Sequence, residues 1–539
     1  MIGVGNIKGV DLKTLNAFKG APIHKGTIYI LSGIFIYQLF LKNIITVSFN
    51  LPKINKSFLF QIIKKYIPSR YQQIQQEIDK QVDEIIKENF PDQPGIPSFN
   101  EIPLQGQSSD DILKILQDLS NNDIDPHQGK LFAYCYPTKK EHEELVIKAN
   151  NMFIQLNALN PMAFQSLRKM ECEVIRMSIS MLKGDENTCG TMTTGGTESI
   201  LLAIKSYRDR AKYLYNITEP EVVLPITAHP AFHKAGKYFS VKMVYVKVLD
   251  QYNCQLDLKD YKSKINRNTI LLVGSAPQYP HGLLDPIQDI ARLADKYKLP
   301  LHVDACIGGF FLSWMEMAGY PLPGLFDFRI PQVTSISADI HKYGYATKGS
   351  SVLLFKDQSI RKYQFLAYTE WPGGLFVSPS ILGTRSGGNI AAAWASLVYL
   401  GQDGFKDYVG KIMKTSQAIQ KAIRENHYVR IIGNPVMSII SLNSEIINVH
   451  ALADVMESKF GWKLERQDRP KSIHMTLTPA HINIESVFIQ NLDSSIEHLL
   501  DNPDLNNKGS AAMYSGINNI PITDIADEFL LEFLSKTYK

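Results

Sequence analysis

The chain has 539 residues, 45% of them hydrophobic, with 57 basic side chains against 53 acidic and a net charge of +4. That length exceeds one compact core and the apolar content is ordinary for a globular enzyme, while the basic residues are scattered rather than striped, which excludes a nucleic-acid footprint. The cysteines Cys135, Cys172, Cys189, Cys254 and Cys306 are odd in number and lack CxxC spacing, so a reducing compartment fits better than a disulfide framework.

Residues 26–41 (GTIYILSGIFIYQLFL) carry no charge, and after Lys42 a second uncharged run reaches Pro52. A helix of residues 26–41 reaches only about 24 Å, short of a hydrocarbon core of about 30 Å. Adding Lys42 and residues 44–49 makes residues 26–51 long enough to span, if that lysine snorkels. A helix lying in the interface and a cleavable signal peptide are the alternatives, although no clear cleavage site follows. Lys53, Lys56, Lys64 and Lys65 follow the segment, against Lys19 and Lys25 before it, which places the bulk of the chain in the cytosol. Residues 1–60 thus read as a membrane-anchor region.

Residues 71–87 (YQQIQQEIDKQVDEIIK) set Ile74, Ile78, Val82, Ile85 and Ile86 at helical spacing, and the proline-rich residues 90–103 end that arm as a linker. Residues 61–128 are therefore an arm and linker. Between residues 129 and 401, strands such as residues 269–273 alternate with helices such as residues 286–298, the βαβ pattern of a parallel sheet. Residues 402–539 resume as a helix and then βαβ-like pieces around residues 429–442 and 472–478, a smaller C-terminal domain.

Four features inside the βαβ region carry chemistry. TTGGTES, residues 193–199, opens a helical pattern, and glycines followed by Thr197 expose backbone N–H groups, Gly196 among them, to a phosphate. An ordinary capped helix would look similar. His229, in TAHPAFHKAG, is a candidate to stack on a cofactor ring. His229 and His233 also stand at i, i+4, but the HExxH zinc motif needs glutamate at position 230, where proline stands, so no metal is expected. Residues 299–303 read as a buried strand ending in Asp304, a position where open α/β sheets bind ligands. There a carboxylate can pair with a protonated pyridine nitrogen; a turn-capping aspartate is the plainer reading. Finally, the apolar run of residues 333–336 leads into SADIHKYGYATKGSS, residues 337–351, with the pair His341-Lys342 and a second lysine, Lys348. A lysine preceded by histidine at a strand end suits pyridoxal phosphate, whose aldehyde condenses with the lysine amine as a Schiff base while the imidazole helps fix cofactor or substrate. Each feature alone is weak. A phosphate cradle, a ring-stacking histidine, a strand-end aspartate and a lysine, in that order, indicate pyridoxal phosphate together.

From about residue 129 to the C-terminus, and more weakly over the anchor, the chain resembles the sphingosine-1-phosphate lyase family of pyridoxal-phosphate enzymes, relatives of the group II amino-acid decarboxylases. The stretches that carry the likeness are NPMAFQSLRKMECEVIRM, TTGGTESILLAIKSYRD, AHPAFHKA, PQYPHGLLDPI, PLHVDACIGGFF, FDFR, VTSISADIHKYGYATKGSS and GNPVMSIISL. The resemblance implies an α/β fold of fold type I, like aspartate aminotransferase, with a large parallel-sheet domain, a smaller C-terminal α+β domain and the N-terminal anchor. It implies cleavage of a phosphorylated long-chain base to a fatty aldehyde and phosphoethanolamine, on the endoplasmic reticulum membrane with the catalytic part facing the cytosol. Tyr136 and Asn157 match active-site positions of the family, and Lys348 lies near the substrate phosphate there. The loop GTRSGG, with Ser386 and Gly387, matches one that reaches the cofactor of a neighbouring subunit, so a homodimer is implied. One departure stands out: where the family reads Asn-Pro-Leu-His-Pro, this chain has Asn157-Ala158-Leu159-Asn160-Pro161, and an amide cannot accept a proton at neutral pH. An amino-acid decarboxylase would share Thr197, His229, Asp304 and Lys342 but would need a cationic site for a substrate carboxylate. A catalytically silent membrane scaffold would need no complete cofactor set.

Overall fold

The computed structural model describes residues 64–90, 93–507 and 523–538. The anchor expected at residues 26–51 lies outside the described residues; among those described, no helix is long and apolar enough to cross a membrane.

Contacts divide the chain into two units. In the first, the expected arm is the helix Pro68–Asn89, which starts on a proline at its first turn. Its Ile78, Val82 and Ile85 are buried, one stripe at i, i+4 and i+7. The helix Thr523–Thr537 lies against it, with Lys536 Nζ 2.8 Å from Asp83 Oδ1 and Lys64 Nζ 2.6 Å from Glu528 Oε1. Residues 402–539 are thus not one contact unit, because the last helix finds its partner in the arm. The helix Ser109–Ser120, which the sequence reading passed over between the proline-rich linker and residue 129, begins at Ser108, whose side chain accepts from the Asp111 N–H.

The second unit, residues 124–449 and 455–498, holds the chemistry-bearing sequences. Its main sheet comprises β1 (Cys189–Thr193), β2 (Glu221–Pro225), β3 (Lys242–Val246), β4 (Thr269–Ser275), β5 (Leu301–Asp304), β6 (Val333–Ala338) and β7 (Ser351–Phe355), in the order β1-β7-β6-β5-β4-β2-β3. β2, β4 and β5 are buried at every residue, as expected of strands covered on both faces. β7 runs antiparallel to both neighbours. Every parallel step needs a long crossover, whereas β6 returns directly to β7 through the loop that carries Lys342 and Lys348. The lysine loop is therefore also the connection that reverses the chain.

A small hairpin of β8 (Leu366–Tyr368) and β9 (Phe376–Ser378) follows. The helix Gly387–Glu425 then breaks at Gly401, which takes φ 55°, next to the boundary read from the sequence. Beyond it, β10 (Arg430–Ile431), β11 (Ile439–Asn443), β12 (Glu465–Asp468) and β13 (Lys471–Thr476) form a sheet in the order β10-β11-β13-β12. All its pairings are antiparallel, which corrects the βαβ-like reading: the tight Asp468–Lys471 turn admits only an antiparallel pair, and the helix Val449–Phe460 leads from β11 to β12, which pairs with β13 rather than with β11.

Candidate active site

The carboxyl ends of β1, β5 and β6 bring three of the four sequence features to one edge of the sheet. After β1, Gly195 takes φ +155° and starts the helix Gly196–Tyr215 without a side-chain cap, so the first-turn N–H groups and the positive end of the helix face outward. Thr197 is exposed in that turn. Glu198 folds back, its Oε2 accepting from both the N–H and the hydroxyl of Thr194 at 2.7 Å. Gly196 admits no side chain: a Cβ there would lie 2.7 Å from Cys306 Sγ and 2.8 Å from Asp339 Oδ2.

β5 ends in Asp304, buried, with Oδ1 accepting from the Cys306 N–H at 3.0 Å. β5 and β6 lie side by side, so the chain leaving β6 delivers Asp339, His341 and Lys342 next to it. Lys342 Nζ is 3.0 Å from Asp339 Oδ2 and His341 Nε2 3.7 Å from the same oxygen. Burial works against the Lys342 ammonium, but Asp339, Cys306 and Asp304 together outweigh it and hold the amine above its ordinary value. Burial likewise opposes the Asp339 carboxylate, yet Lys342 and His341 keep it below the usual range. His341 is pushed down by burial against the pull of Asp339.

His229 is exposed on the loop after β2, its Nδ1 accepting from the Ala231 N–H at 3.1 Å; its surroundings lower its pKa and so favour a neutral ring. His233 instead bonds the Tyr245 hydroxyl at 2.9 Å, so the two histidines do not converge. Lys348 donates to the Tyr134 carbonyl and lies over the Tyr136 ring, 4.9 Å from its centroid. Burial, and then Lys342 across the site, lower the Lys348 pKa. Tyr136 meets Tyr343 edge-on at 5.0 Å, and burial pushes its hydroxyl up, so it keeps its proton at neutral pH.

Asn157, Ser386 and Gly387 form a second cluster. Asn157 bridges to Ser386, and its Oδ1 accepts from the N–H groups of Leu159 at 2.9 Å and Arg385 at 3.2 Å, while the Gly387 N–H donates to Leu156 at 2.8 Å. Among the described residues no hydrogen bond or ion pair joins this cluster to Thr197, Asp304 or Lys342. Asn160, at the departure from the family pattern, is exposed, and its Oδ1 accepts from the N–H groups of Met162 and Ala163 at 3.2 and 3.1 Å. It holds a turn.

Sequence reasoning missed Asp339, although its place one helical turn before Lys342 was a usable signal. It also missed Tyr279, which stacks on His474 at 4.4 Å and lies near enough to Tyr136 to raise its hydroxyl further.

These residues fit pyridoxal phosphate. The cradle at Gly196 is closed to any Cβ, the helix start is uncapped, and Asp339 Oδ1 is buried without a hydrogen-bond partner beside the lysine.

Comparisons with known proteins agree. The pyridoxal-dependent decarboxylase conserved domain matches residues 149–444. The chain is 40% identical over 485 residues to sphingosine-1-phosphate lyase 1 of Rattus norvegicus, covering 88% of this chain and 84% of the relative. It is 38% identical over 474 residues to the sphingosine-1-phosphate lyase of Saccharomyces cerevisiae, covering 86% and 80%. The solved sphingosine-1-phosphate lyase of Burkholderia pseudomallei superposes with a TM-score of 0.72 at 34% identity, over 77% of this chain and 94% of that one.

Proposed function

Because the chain belongs to the sphingosine-1-phosphate lyase family, we propose that it uses pyridoxal phosphate to break the C2–C3 bond of a phosphorylated long-chain base, releasing a long-chain aldehyde and phosphoethanolamine. The single observation that carries this reading is the joint placement of Lys342, Asp304 and the uncapped Gly196 helix at one sheet edge, with Lys348 on the same loop as Lys342. Amino-acid decarboxylation is the chemistry of the broader family.

Bound pyridoxal phosphate supplies the electron sink for carbon–carbon cleavage. The chain's own residues divide the rest. The helix-start amides and Thr197 hold the cofactor phosphate. Asp304 would pair with the ring nitrogen, and neutral His229 would stack on the ring. Lys342 would provide the covalent attachment, with the Asp339 carboxylate 3.0 Å away to hold its amine when it is free. His341 fixes the turn through its Nδ1, which accepts from the Ser350 N–H at 3.3 Å. Lys348 offers a point charge to the substrate phosphate. Tyr136, keeping its proton, donates a hydrogen bond rather than removing a proton.

Purified protein given a phosphorylated sphingoid base should yield aldehyde and phosphoethanolamine by mass spectrometry; carbon dioxide from an amino acid instead would move it to the decarboxylases. Lys348→Ala should retain pyridoxal phosphate yet lose about 10- to 100-fold in activity, since one charge-assisted contact is worth about 1.5–3 kcal/mol. Loss of cofactor in step with activity would show that Lys348 does not act on the substrate alone.

We propose further that the enzyme is a homodimer anchored in the endoplasmic reticulum with its catalytic unit in the cytosol. Two observations support the dimer. Among the described residues no hydrogen bond or ion pair joins Asn157, Ser386 or Gly387 to Thr197, Asp304 or Lys342, which suits a cofactor contact in a neighbouring copy. The hairpin of β8 and β9 also exposes Leu366, Trp371, Leu375 and Val377, more apolar surface than one loop usually leaves to water. Anchoring rests on residues 26–51, which carry Lys42 as their one charge, and on the lysines after them. Full-length protein should stay with membranes through alkaline carbonate, and removing about the first 60 residues should free an active dimer. Release of the full-length protein would instead make the segment an interfacial helix.

A further inference from the structure

Behind Asp304 runs a buried line of polar side chains that the reaction described above does not use. β5 carries His302 and Asp304 at i, i+2, and β6 carries Ser335 and Ser337 at i, i+2; the strand register sets His302 against Ser335 and Asp304 against Ser337. Alternation along a strand therefore puts all four on one side of the sheet. Ser337 Oγ is 3.4 Å from Asp304 Oδ1 and 3.3 Å from His302 Nε2. Beyond the ring, His302 Nδ1 is 2.8 Å from Ser335 Oγ, which takes the Tyr207 hydroxyl at 2.8 Å. His302, Ser335 and Ser337 are 0% exposed and Tyr207 1%, so water cannot substitute for any missing partner.

The direction of the line follows from hydrogen-bond chemistry. An ionised carboxylate only accepts, so Ser337 donates to Asp304 and must itself accept from His302 Nε2–H. His302 Nδ1 then accepts from Ser335, which accepts from Tyr207. One polarity of the chain belongs to one charge state of Asp304, and it fixes one tautomer of His302. Burial keeps that imidazole neutral, at about 4, so the tautomer is free to be set this way.

We propose that His302 is a positioning residue for the cofactor, acting through Ser337 to hold Asp304 as an oriented carboxylate against the ring nitrogen. This rests on the assignment of Asp304 above. A half-satisfied buried carboxylate would be free to swing, and that change would weaken its pairing with the ring. The other titratable groups around Asp304 are His229 after β2, Asp285 after β4, Cys306 after β5, and Asp339 and Lys342 after β6; all stay in place in the variants below.

The test measures two properties of the holoenzyme without substrate: the dissociation constant for pyridoxal phosphate, and the pH midpoint of the bound cofactor's visible absorbance. Asp304→Asn is the reference. Ser337→Ala, which deletes one oxygen, and His302→Leu should each weaken cofactor binding about tenfold. Each should also move the midpoint in the same direction as the reference. The double variant should add little to either single one, and His302→Gln, which keeps an N–H near the Nε2 position, should restore most of both readouts. A packing role alone would lower the melting temperature and leave the midpoint unmoved. If His302→Leu does not fold, Ser337→Ala and His302→Gln decide. Unchanged affinity and midpoint in Ser337→Ala, beside a response in Asp304→Asn, overturn the proposal. No response in Asp304→Asn removes the assignment of Asp304 itself, and this proposal with it.

Discussion

Lys342→Ala is expected to abolish turnover and the visible absorbance of covalently held cofactor, while leaving noncovalent binding at the Gly196 helix. The amine lies at the end of β6 beside Asp304, and Asp339 holds it 3.0 Å away in a fixed direction. Removing it also leaves Asp339 buried beside an empty place, with one oxygen already unpartnered. That cost is set by an uncompensated buried carboxylate, several kcal/mol at most, and Asp339 can relieve it by taking up a proton. Borohydride reduction of the wild-type holoenzyme followed by peptide mapping should label Lys342. A label on Lys348, whose amine instead points to the Tyr134 carbonyl and the Tyr136 ring, would reverse the roles of the two lysines.

Acid should destabilise the folded catalytic unit steeply below pH 6.5. His142, His281, His302, His474 and His481 are each lowered to about 4 by burial. Their pKa values in the folded state lie below those of the unfolded chain, so the unfolded chain takes up protons first as pH falls. The stability is intact above about pH 6.5 and is lost progressively toward pH 4. Each histidine loses roughly 1.4 kcal/mol per pH unit in that window, so five lose about 7 kcal/mol by pH 5.5. Asp285, raised to about 7 by burial, works in the opposite sense and returns about 2 kcal/mol over the same range. A net loss of roughly 5 kcal/mol is comparable with the whole stability of many domains. Urea unfolding of the apoprotein at pH 7.5 and pH 5.5 should show it; equal midpoints at the two values would rule it out.

Three of the four expected features, legible because each is local, meet at one sheet edge. A glycine turn before a helix, a carboxylate ending an apolar strand, and a lysine following one are spelled by neighbouring residues, and α/β sheets collect strand ends at one edge. The arm helix was legible for the same reason, since Ile78, Val82 and Ile85 repeat at the helical period. Asp339 escaped although it stands in the same motif, because a carboxylate three residues before a lysine is common on exposed helices and its meaning comes from burial. The antiparallel small sheet escaped because strand direction depends on how the chain turns between strands, and periodicity carries no direction.

The sequence by itself determined the cofactor and the family and singled out the lysine proposed to attach the cofactor, since those rest on residue types in order along the chain. Only the tertiary structure decided which charges face each other. It put Asp339 on Lys342 rather than on solvent, turned Asn160 outward to hold a loop, bridged Asn157 to Ser386, and set His302 behind Asp304. Each of those outcomes depends on the register between β5 and β6, or on which loop ends a strand. Such long-range pairings are fixed by packing the whole sheet, and no short stretch of sequence records them.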